Sequence, residues 1–126
     1  MHDEVVAAVQ RYVDGVRSGD PGLVKDAFRS DAVMWGYLGE QFVTMSGTAF
    51  AEQVVAGSPA QDGRYVAEIH SVRVAGGVAT AILDEHAYLG ADFRNHLGLI
   101  QADGAWRIAS KIFSTTEHLS TTENGD

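Results

Sequence analysis

Three observations predict an α+β domain whose helices gather on one face of a curved antiparallel sheet. Two are long hairpins in the C-terminal half, turned at Gly76-Gly77 and Asp103-Gly104, and the third is an amphipathic stripe over residues 3 to 18. At 126 residues the chain has room for one hydrophobic core and not for two. Residues 1 to 116 are expected to form that domain. Residues 117 to 126, EHLSTTENGD, lack apolar periodicity and read as a flexible tail.

The first element follows from DEVVAAVQRYVDGVRS, where Val5, Val6, Val9, Val13 and Val16 recur at helical spacing with Tyr12 on the edge of the stripe. Asp3 and Glu4 suit the N-terminal end of the helix dipole, Arg17 the C-terminal end, and Gly19 a left-handed stop. Asp20-Pro21 then caps and opens a second, shorter helix that buries Leu23, Val24, Ala27 and Phe28. Ser30-Asp31 breaks it, and AVMWGYL and GEQFVTM read as two short strands around Gly39-Glu40. Ser46 or Thr48 can cap a third helix, TAFAEQVVAG, with Phe50 and Val54 inward. Residues 57 to 64, GSPAQDGR, read as a loop.

RYVAEIHSVRVAGGVATAILDEHAYLG is the first long hairpin. Ile69 and Val72 have opposite parity, which calls for a bulge near His70-Ser71, of the kind that bends a strand around a cavity. In the second hairpin, Asp103-Gly104 fits the two positive-φ positions of a type I′ turn, so Ala102 pairs with Ala105 and Leu99 with Ile108. Unbroken alternation then sets Leu97 opposite Ser110 and Asn95 opposite Ile112. One face carries Phe93, Asn95, Leu97, Leu99, Trp106, Ile108, Ser110, Ile112 and Ser114 toward the core. The other carries Arg94, His96, Ile100, Lys111 and Phe113 toward solvent or a subunit interface.

Composition excludes several classes of function. Nine Lys plus Arg against seventeen Asp plus Glu give a net charge of −8, which opposes binding to nucleic acid or an anionic membrane. No apolar run approaches membrane-spanning length. MHDEVV is acidic where a secretory signal would be basic and then apolar, and there is no cysteine, so a cytoplasmic location is expected and thiolate chemistry is absent. His2, His70, His86, His96 and His118 show no metal-ligand spacing, and no dinucleotide-binding or phosphate-binding glycine run is present, so neither metal nor cofactor is expected.

Three helices can cover much of a curved sheet but not its open end, which predicts a pocket between sheet and helices. Asp84, Glu85 and His86 are the densest run of titratable groups and sit late in a central strand near that end. If Leu83 faces inward so does Glu85, placed for acid or base work; a shifted strand would instead turn in Asp84 and His86 as a shared proton relay. The alternative is a solvated or interface-facing polar stretch. Tyr12, Trp35 and Tyr37 are amphipathic aromatics that can line a pocket or simply fill the core. Asn95 and Ser110, on the inner face of the second hairpin, can bind a ligand as neutral polar groups.

The order of elements, together with RYVDGVRSGDPGLVKDAF, SDAVMWG, TAFAEQVV, VRVAGGVATAIL and HLGLIQADGAWRIASKIFS, resembles the nuclear transport factor 2-like superfamily, and within it the SnoaL-like and lumazine-binding-like proteins. The resemblance runs from residue 5 to about 115. It implies a cone-shaped, strongly curved sheet wrapped by three helices, a hydrophobic pocket inside the cone, and a homodimer, expected here through the outer face around Ile100, Lys111 and Phe113. The superfamily includes isomerases, dehydratases and cyclases of steroid- or polyketide-like substrates as well as members without known catalysis, so the scaffold does not select a reaction. Lumazine-binding-like proteins commonly carry an acid at the place of Asn95, and its absence removes a proton acceptor there. The expected function is binding of a hydrophobic or aromatic small molecule, with cofactor-free acid–base chemistry or a non-catalytic binding module as its two forms.

Overall fold

The computed structural model describes residues 2–57 and 64–118. Helix α1 (His2–Ser18) buries Val5, Ala8, Val9, Tyr12, Val13 and Val16, the stripe that the valine spacing predicts. Asp20 accepts hydrogen bonds from the Gly22 and Leu23 N–H groups and so caps α2 (Pro21–Ala27). Gly15 lets α1 and α2 close on each other: a Cβ there would lie 2.6 Å from Val24 Cγ2.

Phe28 does not end α2 as its apolar character suggests. Its backbone is extended, its N–H closes the helix on the Val24 carbonyl, and it opens strand β1 (Phe28–Leu38), four residues earlier than expected. The ring stays in the core, edge-on to Tyr12 at 5.7 Å. Strand β2 (Gln41–Ser46) returns alongside β1, and Ser46 caps α3 (Gly47–Gln53) through the Ala49 N–H. A 3-10 turn, Val55–Gly57, follows; the rest of the expected loop, 58–63, lies outside the described residues. Four long strands complete the domain: β3 (Val66–Ala75), β4 (Val78–Tyr88), β5 (Ala91–Ala102) and β6 (Ala105–His118). β6 covers the first two residues of the expected tail, and residues 119–126 lie outside the description.

The strands form one six-stranded sheet in the order β2-β1-β6-β5-β4-β3. It is mixed rather than wholly antiparallel, because β1 and β6 pair in parallel. That pair joins segments about eighty residues apart in sequence, and no turn signal announces a contact of that range. The helices lie against the concave face, where Met34, Leu83, Leu97, Leu99 and Ile108 meet Val9, Val13, Phe50 and Val55. Among the described residues no helix is long and apolar enough to cross a membrane.

Bulges give the sheet its curvature and decide which side chains reach the inside. The one expected in β3 is present: pairing with β4 shifts between His70 and Arg73, with Ser71 at φ 58°. In the β5–β6 hairpin Ala102 pairs with Ala105 and Leu99 with Ile108, and Asp103 and Gly104 take φ of 53° and 78° as a type I′ turn requires. Beyond Leu99 the register slips by one residue. Gly98 then pairs with Ser110, Leu97 with Lys111 and Asn95 with Phe113. That slip exchanges the faces of β6 from Ser110 to Thr115.

Candidate functional site

Lys111 and Phe113 therefore point into the cone, and Ser110, Ile112 and Ser114 point out. Lys111 is 3% exposed and Phe113 is buried with it, whereas Ile112 is exposed. Lys111 Nζ donates to the Tyr12 hydroxyl at 2.7 Å and sits over the rings of Phe50, Tyr12 and Phe113 at 4.4, 5.0 and 5.2 Å. Aromatic faces are negative at their centres, so this cage partly replaces the water an ammonium loses on burial. Desolvation still dominates: it pulls the Lys111 pKa down to about 8, with the negative charge of Glu85 acting in the opposite sense.

Glu85 supplies that charge from β4. Leu83 and Glu85 both face inward, as strand alternation requires, and Glu85 is 2% exposed. Its two oxygens are held separately: the Tyr65 hydroxyl donates to Oε2 at 2.8 Å and Asn95 Nδ2 to Oε1 at 3.0 Å. Immediately after Glu85 the β4–β5 register breaks, with Ala87 at φ 62°, and the chain turns Tyr88 inward beside it. The Tyr65 and Tyr88 rings meet edge to face at 5.9 Å, and burial together with the Glu85 charge pushes both phenols well above their ordinary pKa.

Asn95 is 1% exposed and also donates Nδ2 to the Leu83 carbonyl at 2.9 Å. Both neighbours are acceptors, so the amide NH2 must face them and Oδ1 is left over. That oxygen is buried without a donor among the described residues, on a side chain that lines the cavity. Asn95 thus offers a ligand an acceptor. It cannot stabilise negative charge on a ligand oxygen, because its N–H groups are engaged.

Glu85, Asn95 and Lys111 share one cavity with Met34, Phe50, Tyr88, Phe93 and Phe113 among its walls, and the half-exposed Leu38 and Leu89 stand at its rim. Its volume is about 70 Å³, below the roughly 300 Å³ or more of a pocket for a drug-sized ligand. The cavity combines a buried carboxylate and a buried amine in otherwise apolar walls. That pair can take up a proton at one group and stabilise or donate to a carbonyl oxygen at the other.

The remaining candidates lie elsewhere. Asp84 faces outward, gripped by Arg94 Nε and a second guanidinium nitrogen, each at 2.8 Å, and by His70 Nε2 at 3.0 Å. The Arg94 hydrogen bonds foremost, then that of His70, hold its pKa down to about 2 against desolvation. His86 is exposed and its Nδ1 lies 2.7 Å from Asp92. The two do not form a proton relay, because the outward face gives each its own partner. Trp35 and Tyr37 are 39% and 48% exposed on the outer face of β1, which excludes them from the cavity. Ser110 also turns out, so close over Gly98 that a Cβ on Gly98 would lie 2.7 Å from its hydroxyl. Tyr12 is fully buried and reaches the cavity only through Lys111. Among the described residues no group of three or more His, Asp or Glu side chains is placed to hold a metal.

Lys111, Tyr65 and Tyr88 are the site residues the sequence reading passes over. A signal for Lys111 existed. Unbroken alternation puts Ser110 and Ser114 in the core and Phe113 in solvent, and a single bulge reverses all three choices in the direction that hydrophobicity favours.

Known proteins resemble this chain along nearly its whole length. A protein of Silicibacter pomeroyi described as NTF-2 like and of unknown function superposes with a TM-score of 0.81 at 24% identity, covering 90% of this chain and 93% of that one. A ketosteroid isomerase-like protein of Erwinia carotovora superposes at 0.68 with 18% identity, over 91% and 95% of the two chains. In sequence, the aldolase FrzH of Cladobotryum is 26% identical over 115 residues, 89% of each chain. The family described as "Putative lumazine-binding" matches residues 1–114. With the curved sheet, its three covering helices and that match in agreement, the chain belongs to this lumazine-binding-like family, and it has the fold of the NTF2-like structures.

Proposed function

We propose that the protein binds a small carbonyl compound with an apolar body in the cone and moves a proton on it without a cofactor. Glu85 is the base that removes a proton from the carbon next to the carbonyl, and Lys111 faces the oxygen on which charge develops. The observation that carries this reading is Glu85 itself: a carboxylate 2% exposed, aimed by two donors, in a cavity whose other walls are almost entirely apolar. Isomerisation, cyclisation and dehydration all begin with that step, and so does the aldol chemistry for which the Cladobotryum relative is named. The ketosteroid isomerase-like neighbour supports the same class of substrate handling on this scaffold.

The test is hydrogen–deuterium exchange of phenylacetone, an enolisable aromatic ketone, followed by NMR in D2O. Exchange above the buffer rate that falls by about 10²–10⁴-fold in Glu85→Gln supports the assignment. Equal rates with wild type, Glu85→Gln and buffer sink it.

The small size of the cavity favours a second reading, a non-catalytic module that holds a ligand of a few heavy atoms or is closed by its own side chains. Butanone binding seen by calorimetry without Glu85-dependent exchange selects it. In either form the protein is proposed to act in the cytoplasm as a homodimer. Lys111 and Phe113 are buried and cannot carry that contact, but Trp35, Ile112, His96 and Ile82 line up across neighbouring strands on the outer face and offer a mostly apolar row. Sedimentation of Ile112→Glu against wild type tests it, with a wild-type monomer at high micromolar concentration as the contrary result.

A further inference from the structure

The chain has two lysines, and they occupy opposite environments. Lys25 is exposed and ion-paired with Glu52. Lys111 lies at the cavity, 3% exposed, with an aromatic ring on three sides and the Tyr12 hydroxyl as its single hydrogen-bond partner among the described residues. Among the described residues no carboxylate lies within ion-pair distance of its nitrogen. A structural lysine buried for stability would be matched with one, since an unpaired buried ammonium is strongly destabilising.

We propose that Lys111 is a nucleophile that captures aldehydes and ketones in the cavity as a Schiff base. Its burial, which brings the pKa to about 8, leaves an appreciable neutral fraction at physiological pH, and the neutral amine carries the reactive lone pair. The nitrogen attacks the carbonyl carbon and forms a C–N bond while the C=O π pair moves to oxygen. Glu85, across the same cavity, takes a proton from the nitrogen and returns it to the oxygen. The carbinolamine C–O bond then breaks as the nitrogen lone pair forms C=N, and Glu85 carries the remaining N–H proton to the departing hydroxyl, so ketone plus amine gives imine plus water with no oxidant or reductant. Protonated, the imine draws electrons from the adjacent carbon more strongly than the carbonyl did, which makes the proton that Glu85 removes more acidic.

This inference rests on the reading that carbonyl compounds enter the cavity and deepens it. The test uses the full chain with phenylacetone and sodium cyanoborohydride at pH 8, followed by intact mass and peptide mapping, with deuterium exchange run in parallel without reductant. The expected product is a single increment equal to the probe less one oxygen, on the peptide containing Lys111. It should exceed labelling at Lys25 by about tenfold or more, persist in Lys25→Met and disappear in Lys111→Met. Labelling of wild-type Lys111 should rise with pH and level off above about 8. Because mapping of wild type reads both lysines at once, the outcome does not depend on the variants folding. Comparable labelling of Lys25 and Lys111 overturns the proposal. Glu85-dependent exchange without an adduct on Lys111 overturns it and leaves the proposed function standing. An adduct on Lys111 without such exchange upholds it and removes the acid–base reading, and the absence of both discards the two together.

Discussion

Asp84 and Glu85 are neighbours in one strand, and the sheet between them separates two kinds of electrostatics. On the outer face Asp84 is clamped by Arg94 and His70, and His86 by Asp92, in ion pairs open to water. On the inner face Glu85 is held by a phenol and an amide, and Lys111 by a phenol and aromatic faces, with no full counter-charge in contact. Outer groups are satisfied by their partners and screened by water. Inner groups keep unspent interaction energy because nothing nearby neutralises them, which is the condition for a reactive site.

The largest expected contrast across this boundary is in reactivity. Glu85→Gln should lower ketone exchange by about 10²–10⁴-fold, whereas Asp84→Asn should change it by less than about threefold; an equal loss in both, measured by NMR, would erase the distinction. Next comes the pH dependence of stability. The folded-state pKa of Lys111, about 8, lies below the ordinary 10.5, so between these values the unfolded chain binds more protons and stability rises with pH. Lys111→Met removes that slope. Its unfolding free energy relative to wild type, measured in urea, should fall by about 2–3 kcal/mol between pH 7 and pH 10.

A third test concerns the wall that carries the inner groups. A Cβ on Gly36 would lie 2.3 Å from the Phe113 carbonyl and 2.5 Å from its ring, so Gly36→Ala should cost about 1–3 kcal/mol in denaturant unfolding and displace a cavity wall. Gly77 on the outer turn has only one atom near such a Cβ, at 3.9 Å, and the same change there should cost less. The smallest effect belongs to the Asp84 clamp. Its pKa is depressed, so the stability it adds is present above about pH 4 and is lost as pH falls through about 2. Water screens the pair, and Asp84→Asn should remove less than about 1 kcal/mol at pH 7.

What the sequence made legible was whatever depends on neighbours along the chain. The α1 stripe, the Asp20 and Ser46 caps, the two hairpin turns and the β3 bulge each rest on a few consecutive residues, and each is present. The parallel β1–β6 pair was hidden because it joins distant segments. The slip after Leu99 was hidden for another reason: one inserted residue leaves the strand's composition unchanged but turns over the side chains from Ser110 to Thr115. That one residue separated Ser110 from Lys111 as a site candidate. Asn95 was placed correctly because it precedes the slip on its own strand and follows Leu97 and Leu99 in parity. For Glu85 the same rule left two choices open, and the structure has the one in which it shares its face with Leu83. What could not be read was that Asn95 would spend both N–H bonds on Glu85 and Leu83.

The leftover oxygen of Asn95 makes the cavity a judge of its guests. A ligand that fills the space without a hydroxyl or N–H at that wall strips the oxygen of water and gives nothing back, at a cost of about 1–3 kcal/mol. A guest with a hydroxyl there escapes the cost. Hydroxylated and deoxy forms of one compound would then differ about ten- to a hundredfold in affinity, through an atom that takes no part in moving a proton.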